Sequence, residues 1–180
     1  MGNTGRKPGL IEVRLDRIDQ LFNSLDPSPF REKDLRREAE EFIVSWAEEF
    51  PRDCALSIVL HLREAPPSPL DEKRIAQAVQ NYFDYQASGA RRELSHLLRQ
   101  GRTSLIVGVS FLTLCLFLAD FLAGVWTGQG SQLAVESLTI GGWVAMWRPL
   151  ETYLYGWWPI RRKKALYARL SQAEVTLKIQ

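Results

Sequence analysis

The sequence predicts an integral membrane protein: an α-helical transmembrane hairpin joined to a small cytosolic α+β (or α/β) domain with a short sheet. Three observations carry this. The stretch Ser104 to Trp126 is 23 residues with a single charge. A second apolar stretch, Leu138 to Ile160, ends in Tyr153, Tyr155, Trp157 and Trp158, just before the basic run Arg161, Arg162, Lys163 and Lys164. Short segments alternating apolar and polar residues lie near both ends of the chain, the pattern of half-buried strands. A mean hydropathy of −0.18 looks like a soluble protein, but the charges are unevenly placed. Residues 1–103 hold sixteen Lys or Arg against seventeen Asp or Glu, whereas Thr103 to Ile160 holds only Asp120, Glu136, Arg148 and Glu151. A soluble part this near neutrality argues against the basic surface that nucleic-acid binding needs.

Taken in order, residues 1–10 are expected to be disordered. They lack the apolar core of a signal peptide, and Arg6 stands where N-myristoylation requires Ser or Thr. A cytosolic α/β domain then spans 11–102. From Leu10 to Arg17, Ile11, Val13 and Leu15 alternate with Glu12, Arg14 and Asp16 to give a strand. Asp26-Pro27-Ser28-Pro29 is a turn. Asp34 opens a helix to about Phe50, with Leu35, Ala39, Phe42, Ile43 and Trp46 on one face. Ala55 to Leu62 is apolar enough to be the central strand. After the Pro-rich linker Ala65 to Pro69, a long helix begins near Leu70 and presents Ile75, Val79, Tyr82, Phe83, Ala90, Leu94 and Leu97 at helical spacing. It runs into transmembrane helix 1 at 103–126, with Gly89 or Gly101 as the point where a bend would fall. A short outer loop at 127–137 and transmembrane helix 2 at 138–160 follow. The last segment, 161–180, is basic and ends in a strand, Glu174 to Gln180, that closes a three-stranded sheet. So small a sheet leaves edges exposed and favours self-association or docking.

The first apolar run is about 34 Å long as a helix, enough for a hydrocarbon core of roughly 30 Å. Arg91, Arg92, Arg99 and Arg102 precede it, four basic residues follow the second run, and the connection between them has no Lys or Arg. The positive-inside rule therefore puts both termini in the cytosol. Small residues at intervals of four, Cys115, Ala119 and Ala123 on one helix and Ser137, Gly141 and Ala145 on the other, are the expected packing faces. Charges within spans face protein or water rather than lipid. Arg148 and Glu151 share a helix face beside Pro149, and two readings stay open: an ion pair that neutralises itself, or docking to a partner subunit or lipid head group. Asp120 is expected to reach the Trp143 indole or to extend toward the outer surface.

Little points to catalysis. His61 is expected on the solvent face of its strand and His96 on a polar helix face, and Cys54 and Cys115 read as small buried hydrophobes. No Gly-x-Ser-x-Gly elbow or phosphate-binding glycine loop occurs, so no catalytic, cofactor-binding or metal residues are expected. The segments IGGWVAMWRPLETYLYGWWPIRRKK and RIDQLFNSLDPSPFREKDL resemble a group of small two-span bacterial membrane proteins without an assigned activity. That resemblance implies two spans and a cytosolic α/β portion. The functional expectation is a non-catalytic scaffold or accessory subunit whose partners are the lipid bilayer and copies of itself or a larger membrane complex. The alternative is an oligomeric channel or transporter with pore charges from Asp120, Arg148 and Glu151.

Overall fold

The structure is a computed structural model that describes residues 9–23, 34–64, 69–125 and 128–179. It is mostly helical, with strands β1 (Gly9–Leu15), β2 (Leu56–Leu62) and β3 (Glu174–Ile179) and helices α1 (Arg37–Glu49), α2 (Pro69–Val125), α3 (Gln129–Glu151) and α4 (Trp157–Ser171). The turn expected at 26–29 and the linker at 65–68 lie outside the described residues. The chain forms two compact units, one of residues 1–90 with 162–180 and one of residues 91–161.

The first unit holds a three-stranded parallel sheet in the order β1-β2-β3. Its first strand begins at Gly9, inside the stretch expected to be disordered. The Gly9 N–H donates to the Ala55 carbonyl at 2.8 Å. A Cβ at Gly9 would stand 2.7 Å from the Phe50 ring, so only glycine lets the strand start there. Ile11 pairs with Ile58 and Val13 with Leu60, and the register continues to Val175 and Leu177 of β3. That face packs against Ala39, Ile43 and Ala47 of α1, Ile75, Val79 and Phe83 of α2, and Leu166 and Leu170 of α4.

Two expectations for this unit need correction. The buried stripe of α1 is Ala39, Ile43 and Ala47, while Phe42 and Trp46 are 41% and 43% exposed. At 100° per residue both readings fit an apolar face, and the packing takes the smaller side chains close to the sheet. The His61 side chain is only 11% exposed and lies 3.7 Å from Glu12. It alternates away from the helices as expected, but the flanking strands cover it.

Parallel neighbours cannot be joined by a hairpin and need a crossover. The β2-to-β3 crossover here comprises α2, α3 and α4, so residues 91–161 are an insertion within it. The C-terminal strand is fastened by side chains on both sides of that insertion. Gln80 donates to the Ala173 carbonyl at 2.9 Å, and Arg169 donates to the Pro51 and Cys54 carbonyls, each at 2.9 Å.

Helix α2 runs unbroken from Pro69 to Val125, through Gly89 and Gly101. It is the one described helix long and apolar enough to cross a membrane, with a mean hydropathy of 2.4 over its most apolar stretch and 17% of that stretch buried. The outer loop expected at 127–137 is largely helical, because α3 already starts at Gln129. Directly before it, Gly128 has φ 141°, a conformation that side chains with a Cβ resist. The Ser131 hydroxyl donates to the Gly128 carbonyl at 2.8 Å and steadies the new helix end. The span expected at 138–160 is helical throughout but not α-helical throughout. Helix α3 ends at Glu151, a π-helical turn covers Thr152–Gly156, and α4 begins at Trp157. Buried Pro149 has no N–H to give, and just beyond it the Thr152 N–H is shared between the Arg148 and Pro149 carbonyls.

Candidate functional site

Helices α2 and α3 lie antiparallel along a seam that glycines reveal. A Cβ on Gly142 would stand 2.8 Å from Leu112 and 3.2 Å from Cys115. One on Gly108 would meet Met146 at 3.2 Å and Pro149 at 3.4 Å, and one on Gly101 would meet Thr152 at 3.0 Å. The covered positions of α2 include Gly101, Leu105, Gly108, Leu112, Cys115, Ala119 and Leu122, and those of α3 include Ser131, Val135, Leu138, Gly142, Ala145 and Pro149. They alternate by three and four, the seven-residue repeat of left-handed packing. This corrects the faces expected from an interval of four. Cys115, Ala119 and Ala145 are on the seam, whereas Ala123, Ser137 and Gly141 are exposed, and Gly141 has open space where a Cβ would go. An interval of four drifts off a left-handed seam within two turns, which is why Gly142 was missed.

The same register moves the charges. With Gly142 opposite Leu112 to Cys115, Arg148 comes level with about Ile106 and Glu151 with about Thr103, so both lie beside the Thr103 end of the apolar run of α2 rather than beside its middle. Each is exposed, and no ion pair joins them among the described residues. The self-neutralising pair is therefore not formed. Asp120 and Trp143 are also exposed and make no hydrogen bond to one another among the described residues. Glu136, expected in the loop, falls instead on α3 and is exposed about level with Leu118.

The other outward surface of this unit is apolar. Val107 is 62% exposed, Phe117 73% and Trp147 72%. Toward the basic end, Tyr153, Tyr155 and Trp158 are exposed, and Trp157 packs edge-on against Trp158 at 5.8 Å. The Trp157 indole donates to the Tyr153 carbonyl at 2.8 Å, and the Arg161 guanidinium lies 5.5 Å from the Trp157 ring centre. Arg162 and Lys163 are exposed and Lys164 is half-buried.

In the sheet unit a polar network escaped the sequence reading. Glu40 of α1 accepts hydrogen bonds from Tyr82 of α2 at 2.7 Å and Tyr167 of α4 at 2.9 Å, and Gln86 donates to the Tyr82 oxygen at 2.8 Å. Tyr82 was assigned to the apolar stripe, which its ring does join; only the fold brings its hydroxyl to Glu40. Burial first, and then the bond to Glu40, push both phenols above their ordinary value. Such groups keep their proton when folded but lose it above about pH 10 when unfolded. Stability is thus full below about pH 10 and falls as pH rises beyond it. Denaturation midpoints between about pH 9 and 12 should drop more steeply for the native protein than for a Tyr82→Phe/Tyr167→Phe variant. Equal slopes would contradict the assignment.

Of the remaining singled-out residues, Cys115 is buried in the seam, Cys54 is half-buried beside Ala55, and His96 is exposed. Comparison with family models, curated proteins and solved structures gives no match.

Proposed function

We propose that this chain is a non-catalytic scaffold or accessory subunit of a bacterial inner membrane, with residues 91–161 in lipid and both termini in the cytosol. The observation that carries the reading is the inverted surface of the helix pair. Its seam is lined by glycine and small residues, while Val107, Phe117, Trp147 and their neighbours face outward. Water penalises contiguous apolar surface of this kind, and lipid does not. Helix α2 and the helix α3 beside it form the two-span hairpin. The basic residues at Arg91 to Arg102 and Arg161 to Lys164 mark its cytosolic end, next to Tyr153, Tyr155, Trp157 and Trp158 at head-group level.

Within this reading Arg148 and Glu151 are contact points for a partner subunit or anionic head groups, since each points outward near the cytosolic interface. The experiment compares mass and co-purifying proteins in mild detergent for the wild type, Arg148→Leu, Glu151→Met and the double variant. The double variant is expected to insert and fold yet lose its partners or its oligomer mass. Unchanged assembly in it would remove the docking role. A wild type that is monomeric and brings down no partner would overturn the scaffold reading, and ion flux above that of empty vesicles would favour the channel.

A further inference from the structure

Strand β1 is an edge. Among the described residues it pairs only with β2, and the ladder fixes which of its groups look away. Gly9 donates to Ala55, and Leu15 accepts from Arg63 at the other end. In the parallel register between these points, the odd residues of β1 face β2, so the N–H and C=O groups of Leu10, Glu12 and Arg14 face outward. A groove of about 890 Å³ runs along this edge, bounded by Leu10, Glu12 and Arg14 on the strand and by Phe42 and Trp46 on α1. Leu10, Phe42 and Trp46 are 47%, 41% and 43% exposed, and the two aromatic rings touch at 6.0 Å between centres.

We infer that the occupant of this groove is β1 of a second copy of the chain, paired antiparallel about a two-fold axis through Val13. The choice of occupant and register comes from charge. Centring on Val13 sets Glu12 opposite Arg14 of the other copy, and symmetry repeats the pair; Ile11 then faces Leu15 and Val13 faces Val13. The adjacent register, centred on Glu12, puts two carboxylates directly opposite and is disfavoured. Leu10, Glu12 and Arg14 supply the outward backbone groups that the new ladder requires. The two sheets become one of six strands without exposed β1 edges, and the Phe42–Trp46 faces of the two α1 helices meet on the helical side. This inference rests on the assembly reading above and specifies its contact.

The test is charge exchange in the full-length protein in mild detergent, read as mass against concentration. Glu12→Arg alone opposes two arginines, and Arg14→Glu alone opposes two glutamates, so each is expected to weaken dimerisation about tenfold or more. The Glu12→Arg/Arg14→Glu variant restores complementarity and should regain the wild-type mass. An equimolar mixture of the two single variants should form a mixed dimer that neither forms alone. Those rescues exclude misfolding as the cause of the losses. Single variants that keep the wild-type mass would overturn the β1 contact while leaving assembly intact. A wild type monomeric at every concentration would overturn both.

Discussion

Replacing Phe83 with alanine is expected to destabilise the sheet unit by about 3–5 kcal/mol, the range for deleting a fully buried phenylalanine ring. Phe83 is completely buried, lies against Tyr82 at 5.4 Å and Tyr167 at 6.1 Å between ring centres, and belongs to the core beneath the sheet. Its removal leaves a cavity among residues contributed by α1, α2 and α4, which are also bound together through Glu40. Domain stabilities of about 5–15 kcal/mol make that loss a large fraction of the total. Tyr85, two residues along the same helix and 64% exposed, is the control. Tyr85→Ala should fall within about 0.5 kcal/mol of the native protein. Denaturant unfolding of both variants checks the pair, and similar midpoints would contradict the core described above.

The second large effect separates two adjacent glycines. Gly142→Leu drives a side chain into Leu112 and Cys115, where even a Cβ has too little room. Overpacking of this kind costs about 1–3 kcal/mol, and here it also moves the helices apart along the seam. Gly141→Leu projects into open space and should be silent. Thermal denaturation in detergent should show a lower midpoint for the Gly142 variant only. A loss confined to Gly141→Leu would restore the packing face read from an interval of four.

The contrast shows which parts of the molecule were legible in sequence. Strands β1 and β3 announce themselves because a face turned to the core imposes a period of two on Ile11, Val13 and Leu15 and on half-buried Val175 and Leu177, a period that Ile179 continues although it is 55% exposed. Helix α2 is legible through its core positions Ile75, Val79 and Phe83 and its long uncharged run. The start of α3 was not, because glycine, serine and glutamine in TGQGSQ have the composition of a loop although the helix already begins at Gln129. The helix therefore starts about two turns earlier than expected. Glu136 lies on it, and Arg148 and Glu151 come level with the start rather than the middle of the apolar run of α2. The Glu40 network was invisible for a different reason. Its members are 42 and 127 residues apart in sequence, and no local pattern links them.

The topology proposed for this chain has residues 91–161 crossing a membrane twice, with both termini in the cytosol. Its most direct test is labelling of single cysteines in intact cells with an impermeant thiol reagent, in a Cys54→Ser background with Cys115 buried in the seam. Exposed Gly130, next to the turn, should react as Gly130→Cys from outside. Arg52→Cys and Lys178→Cys, both exposed on the sheet unit, should react only after permeabilisation. Protein recovered in the soluble fraction, or Gly130→Cys protected together with Lys178→Cys, would contradict the account.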